Sequence, residues 1–337
     1  MSLHPAGLIA VVGLVTLLLG GCVIRRPETG VFDAEADSRL ATTVRHGLFV
    51  TSVRIGGREV GPFVIDSGSD SLFLDTEMAQ RLQARVLDAH SEGAYQRTPS
   101  SSSTATIGDL TVGPVTLRNP LIRIVDLSLM TPGFGERLAG VLGYPFFASA
   151  VVEVDYVRRS VSCFDPARYQ LPRGAWQPLD LRGQLPGISV RMNDGAEGVF
   201  LLDTGSNNTA NLFPHFVAKH PQLKIQNIRP HKNLGVAGER DVQVGRIGWL
   251  ELGGRRVERP WVILEKAGAP HGKVAWWFDG LVGEGALRQF LVVFNYPDAK
   301  IALLPASASR PVSQWKVRPP STASAAPVTK DDSSLVR

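Results

Sequence analysis

The chain is 337 residues long and 44% hydrophobic, with a formal net charge of +5 and a pI near 9.4. That length and apolar content suffice for two domain-sized cores. The charge is modest, and no basic block is interleaved with aromatics, so nucleic-acid binding has no support. With Cys22 and Cys163 the only cysteines, stability must come from core burial, not from a disulfide scaffold.

The first segment reads as targeting sequence. Residues 5–24 carry no charge, are dominated by Leu, Val, Ala and Gly, and run into Arg25-Arg26. Leu19-Gly20-Gly21-Cys22 resembles a bacterial lipobox, in which the signal is cut before a cysteine that is then lipidated. This reading makes 1–21 a signal peptide, Cys22 the lipidation site and 22–43 a linker from the anchor. It places the folded part outside the cytoplasm, in the bacterial cell envelope with the periplasm as the expected compartment, and held to a membrane by lipid. The n-region departs from the pattern, since Met1 to His4 lacks Lys and Arg. The rival reading is an uncleaved membrane-spanning helix, because about 20 apolar residues can cross a bilayer.

Beyond residue 43 the pattern is mostly strand. Leu48 to Ile55 is rich in β-branched and apolar residues, and Gly56-Gly57 supplies a hairpin turn. Asp75 to Leu87 is the best helical stretch, with Asp75 as its N-cap. Val151 to Tyr156 reads as a strand, as does Ile188 to Met192, which ends in Asn193-Asp194-Gly195. Pro214 to His220 and Glu284 to Phe290 are each long enough for two helical turns. Trp276-Trp277 reads as core, and the strands 291–296 and 301–304 flank a Pro297-Asp298 turn. Residues 307–337 are rich in Ser, Ala and Pro and read as a disordered tail. Short, numerous strands with little helical period predict an all-β protein.

The strands are arranged twice. Phe63-Val64-Ile65-Asp66-Ser67-Gly68-Ser69 recurs as Phe200-Leu201-Leu202-Asp203-Thr204-Gly205-Ser206, with the aspartates 137 residues apart. Gly113 and Gly253, Pro120 and Pro260, Gly143 and Gly283, and Tyr156 and Tyr296 each keep an offset of 140. One loop insertion of three residues accounts for the change. The repeat predicts two similar lobes, 44–172 and 173–306. In each copy an apolar strand delivers an aspartate into a tight turn. Two such carboxyls brought together cannot both ionise cheaply, so they share a proton. One then serves as general base toward water and the other as general acid toward a carbonyl oxygen. No His-Glu-x-x-His or paired-Cys spacing is present, so neither a metal nor another cofactor is expected.

The two Asp motifs, followed by Val141-Leu142-Gly143 and Leu281-Val282-Gly283, resemble the aspartic peptidase superfamily of pepsin-like and retropepsin-like enzymes. The chain is most similar in form to bacterial retropepsin-like proteins with two repeats in a single chain. The resemblance covers both lobes. It implies a bilobal acid-protease fold, two β-barrel lobes with a cleft between them, and an endopeptidase with Asp66 and Asp203 as catalytic dyad. It implies that Ser67 and Thr204 bond across the lobes, and that Ser69 and Ser206 bond the outer oxygen of their own aspartate. Gly68 and Gly205 would let the turns approach closely and take strained angles. It also implies flaps, one between Ser91 and Ile107 with Tyr95, the other around Gly235 and Gly238. After the second motif, Asn207-Asn208-Thr209-Ala210-Asn211 delays the apolar residues that follow at once in the first. The second turn is therefore expected to be longer or looser. The expected partner is a protein or peptide substrate, met by a monomer. The alternative is a catalytically silent envelope lipoprotein that binds peptides with the same fold.

Overall fold

The computed structural model describes residues 30–88, 103–235, 238–266 and 274–305. Cys22, Tyr95, the signal segment and the tail lie outside the described residues. Among those described, no helix is long and apolar enough to cross a membrane. The protein is mostly β, with few and short helices.

Three sheets build it: one of eleven strands in the first lobe, one of ten in the second, and one of five shared between them. In the first lobe Leu48–Ile55 turns at Gly56-Gly57 and returns as Arg58–Ile65, which ends at Asp66. Gly140–Leu142 runs parallel to Phe63–Ile65 and antiparallel to Phe73-Leu74. The second lobe repeats this arrangement. Gly280–Val282 runs parallel to Phe200–Leu202 and antiparallel to Ala210–Leu212. The hairpin turns at Gly113 and Gly253 match as well, with φ of 53° and 54°, a left-handed conformation that glycine takes without steric cost.

These registers place the insertions. Gly140 faces Leu74 and Gly280 faces Leu212. Leu74 and Leu212 are 138 apart, one more than Asp66 and Asp203. One extra residue therefore sits in the second Asp turn, as the delayed apolar run suggests, and the remaining two enter later. The single three-residue insertion expected from sequence is in fact divided.

The shared sheet joins the lobes. Val151–Asp155 pairs antiparallel with Phe290–Asn295, Val151 facing Asn295, Glu153 facing Val293 and Asp155 facing Leu291. Exchanging each residue for its equivalent 140 positions away leaves this register unchanged. A local twofold therefore passes between Glu153 and Val293. Both strands are buried throughout. Val152, Val154, Val292 and Phe294 join a core continuous with Phe63 and Ile65 of one lobe and Phe200 and Leu202 of the other. The opposite face packs Val151, Leu291, Val293, Ala302 and Leu304 under Phe164, Tyr169, Leu171 and Trp176 of the connecting segment. Tyr169 there donates to the buried Glu153 carboxylate at 2.6 Å. The lobes are thus halves of one packed unit, not separate barrels.

Some local expectations need correction. The first helix is Thr76–Arg81, with Asp75 accepting from the Glu77 N–H as N-cap. It does not reach Leu87, because Gln83 takes a φ of 51° and Arg85–Asp88 turns into a strand. The second-half helices are Pro214–Lys219 and Glu284–Leu287. Trp277 packs beside Phe278 and Leu281, but Trp276 is 81% exposed. The linker expected over 22–43 is already structured from residue 30. Val31–Phe32 pairs with Thr116 and Val115, while Leu40 is buried and donates its N–H to the Val161 carbonyl. The backbone pairing of Val31–Phe32 covers the edge of the Val115–Leu117 strand, which would otherwise be open. Cys163 is buried and free, and burial pushes its thiol up, which leaves it unreactive.

Leu40→Ala tests the docking of this segment. It should destabilise the soluble fold by about 2–3 kcal/mol, read by urea unfolding. A form beginning at residue 44 should melt below one beginning at residue 27.

Candidate active site

Each aspartate leaves its strand while still held by the sheet. The Asp66 N–H donates to the Leu142 carbonyl at 3.0 Å, and the Asp203 N–H to the Val282 carbonyl at 2.9 Å. Inside each turn the carboxylate accepts from the glycine two residues on, Gly68 to Asp66 at 2.8 Å and Gly205 to Asp203 at 2.9 Å. Asp66 is half-buried and Asp203 buried.

Four hydrogen bonds lock the turns together. The Ser67 hydroxyl donates to the Leu202 carbonyl at 2.7 Å and accepts from the Thr204 N–H at 3.0 Å. The Thr204 hydroxyl donates to the Ile65 carbonyl at 2.9 Å and accepts from the Ser67 N–H at 2.9 Å. Both side chains are 1% exposed, so each of these groups would lose its partner out of reach of water.

Glycine is required here by proximity, not by strain. A Cβ on Gly68 would lie 2.6 Å from the Asp203 carboxyl carbon, and one on Gly205 would lie 2.4 Å from that of Asp66. Each motif's glycine is therefore the wall against which the other lobe's aspartate rests. Neither takes a positive φ, which corrects the expectation of strained angles. Gly143 and Gly283 pass beneath the turns. A Cβ there would meet the Ser71 carbonyl oxygen at 2.2 Å and the Ser206 carbonyl oxygen at 2.4 Å. Ser69 departs from the resemblance, since its hydroxyl donates to the Ser71 carbonyl at 2.9 Å. The Ser206 hydroxyl accepts from the Asn208 N–H at 3.4 Å. Both hydroxyls brace their own turns.

The electrostatics follow from this packing. Burial raises the Asp66 carboxyl, opposed by hydrogen bonds from the Asp203 carboxyl and from the Gly68 and Gly205 N–H groups. Burial also raises Asp203, well above the ordinary range, reinforced by the Asp66 charge and the hydrogen bond to Asp66. The pair titrates as a unit and retains one proton more readily than two separate carboxyls would.

Around the pair the halves differ. Asn211 stands opposite Leu281 and Leu281 opposite Leu201, on the face that carries Asp203 two residues later. The same register in the first lobe holds Phe73, Val141 and Val64. Asn211 donates to Glu265 at 2.9 Å, and Arg240 lies 3.5 Å from that carboxylate. Sequence reasoning passed over this polar group. Aligning the halves would have shown it, because Glu265 falls 140 residues after the apolar Val125. Arg240 belongs to the hairpin Gln226–Gly235 and Gly238–Arg246, whose register runs to Gly235 opposite Gly238. The flap residues expected in this half thus close a long hairpin. Arg229 and Arg246 lie 4.8 and 4.9 Å from the Trp261 ring, a cation–π clamp at its base. In the first lobe Ser103–Thr106 pairs with Leu121–Val125, while the rest of the expected flap lies outside the described residues. No group of three His, Cys, Asp or Glu suited to a metal occurs among the described residues.

Residues 51–146 match the family model described as aspartyl protease. The match, which lies within the first lobe, supports an aspartic peptidase assignment on the retropepsin-like side, and a general aspartic protease function. No curated protein matches the chain.

Two measurements test the site's energetics. Thr204→Val orphans the buried Ser67 N–H and Ile65 carbonyl, and should cost about 2 kcal/mol or more in urea unfolding. Asp203→Asn should do the opposite at neutral pH. With the folded carboxyl raised above its unfolded value, stability is full below the unfolded pKa and falls as pH rises through the folded one. Asn escapes that loss. The variant should therefore melt above wild type at pH 7, with the difference shrinking toward pH 3.

Proposed function

We propose that the chain is an aspartic endopeptidase in which Asp66 and Asp203 form the catalytic dyad. The observation that carries this reading is the reciprocal seating of each carboxyl against the other lobe's glycine, with burial favouring a single shared proton. A water between the carboxyls gives its proton to the ionised one and attacks the scissile carbonyl carbon. The protonated carboxyl gives its proton to the carbonyl oxygen. The tetrahedral diol then collapses, a proton passes to the leaving amine, and the C–N bond breaks. One water is consumed, one acid and one amine are released, and the dyad is again singly protonated.

An extended peptide fits the architecture. Among the described residues the strand Gln226–Gly235 is the outermost of its sheet, so its outer edge can pair with substrate backbone. Both aspartates come from one chain, in keeping with a monomer. The lipobox-like Leu19-Gly20-Gly21-Cys22 supports tethering to the bacterial envelope through lipid on Cys22, with the lobes in the periplasm.

The test is cleavage of casein by residues 27–306 from pH 3 to 7.5. Wild type should be active in the acid to mildly acidic range and lose rate as the last shared proton leaves. Asp66→Asn and Asp203→Asn should each lower kcat/KM by ~10³-fold or more. A rate still rising above neutral pH, or either variant retaining activity, would overturn the dyad. A folded wild type that binds peptide-library members without cutting them would mark a silent peptide binder.

A further inference from the structure

Tyr156 and Tyr296, equivalent under the repeat, directly follow the two central strands of the shared sheet. Both are buried, and both hydroxyl oxygens lie away from solvent without a protein hydrogen-bond partner. Two such phenols at twofold-related places need one physical account, since a buried hydroxyl without a partner is costly.

Their surroundings put them beneath the Asp turns. The Tyr296 ring lies 5.7 Å from that of Tyr144 and stacks on Phe147 at 5.3 Å, both residues of the other half. The Tyr144 N–H donates to the Ser69 carbonyl of the Asp66 turn at 2.9 Å. In the opposite half Glu284 occupies Tyr144's place. Its N–H donates to the Ser206 carbonyl of the Asp203 turn at 2.8 Å, and its charge acts on Tyr156, whose ring meets Phe49 at 5.2 Å. The titratable groups facing the phenols are therefore Asp66, Asp203, Glu284 and Tyr144. Burial, with the negative field of both aspartates, holds the two hydroxyls neutral and so available as donors.

We propose that Tyr156 and Tyr296 are positioning residues of the carboxyl pair, their hydroxyls donating through ordered water to the underside of the Asp66 and Asp203 turns. Such a water would accept from the phenol on one side and donate to a turn carbonyl or carboxyl oxygen on the other. Donors beneath the pair stabilise its negative charge in proportion to that charge. Both apparent pKa values are thereby lowered, against the burial that raises them. The proposal rests on reading Asp66 and Asp203 as the proton-sharing pair of a peptidase.

Tyr156→Phe and Tyr296→Phe each remove one oxygen and leave the ring packing in place. In residues 27–306 the two apparent midpoints would be read by ¹³C NMR of labelled aspartate carboxyls and by the pH profile of casein cleavage. Each variant should move both midpoints upward by about half a pH unit, and the double variant further. Tyr144→Phe, changed in the same aromatic cluster, should leave them in place. Unmoved midpoints in both single variants would overturn the inference even if thermal stability changed, and so would an equal shift from Tyr144→Phe. Should the double variant not fold, either single decides. The carboxyl titration needs no turnover, so it separates the two readings. An inactive wild type whose midpoints still respond to the phenols would sink the peptidase and keep the coupling. An active wild type with unresponsive midpoints would do the reverse.

Discussion

Ser67 and Thr204 each use one hydroxyl twice, as donor to a strand carbonyl of the other lobe and as acceptor from the other's N–H. No second conformation satisfies all four groups, because they are buried where water cannot substitute. The separation of the aspartates is therefore set by backbone, not by flexible side chains. Everything nearby conforms to it: Gly68 and Gly205 by having nothing to collide with the facing carboxyls, Gly143 and Gly283 by passing close beneath. Below them the paired strands 151–155 and 290–295 hold the halves in one register.

That arrangement concentrates unfavourable charge. Two carboxyls are removed from water and pressed together, and the fold tolerates this only because the rest of the interface is apolar and continuous. The main core runs from Phe63 and Ile65 through Val152 and Phe294 to Phe200 and Leu202 without a break. Stability is thus generated in the sheet and given up partly at the site, the usual division between scaffold and reacting groups.

The sequence made much of this legible, for a specific reason. Duplication turns every strong local signal into two, so the Asp motifs, the two later glycines and Tyr156 with Tyr296 identify the lobes and their order. The Leu48–Ile55 strand could be read to its ends because its β-branched, apolar run and Gly56-Gly57 agree. Less legible was whatever depends on neighbours distant in sequence. The first helix stops at Arg81, where a strand takes over the chain. Residues 30–43 look like linker until Leu40 meets Gly113. Ser69 bonds Ser71 in place of its aspartate, a choice made by turn geometry and not by residue type. The polar Asn211–Glu265 group emerges only when the halves are compared position by position.

The shared sheet also fixes when the molecule becomes complete. Its partners are about 140 residues apart in the chain, and Lys300–Pro305 closes it by pairing with both Phe290–Asn295 and Gln177–Pro178. Contacts of such long range form late, after the local hairpins. A nascent chain that has exposed the first aspartate lacks the second, and one that has exposed both still lacks the strands that press them together. On this topology, the seating of the two carboxyls against each other is the last property the chain acquires. The vulnerable half-folded stages, with open sheet edges and exposed peptide, pass before the carboxyl pair of any neighbouring copy at the same stage is assembled.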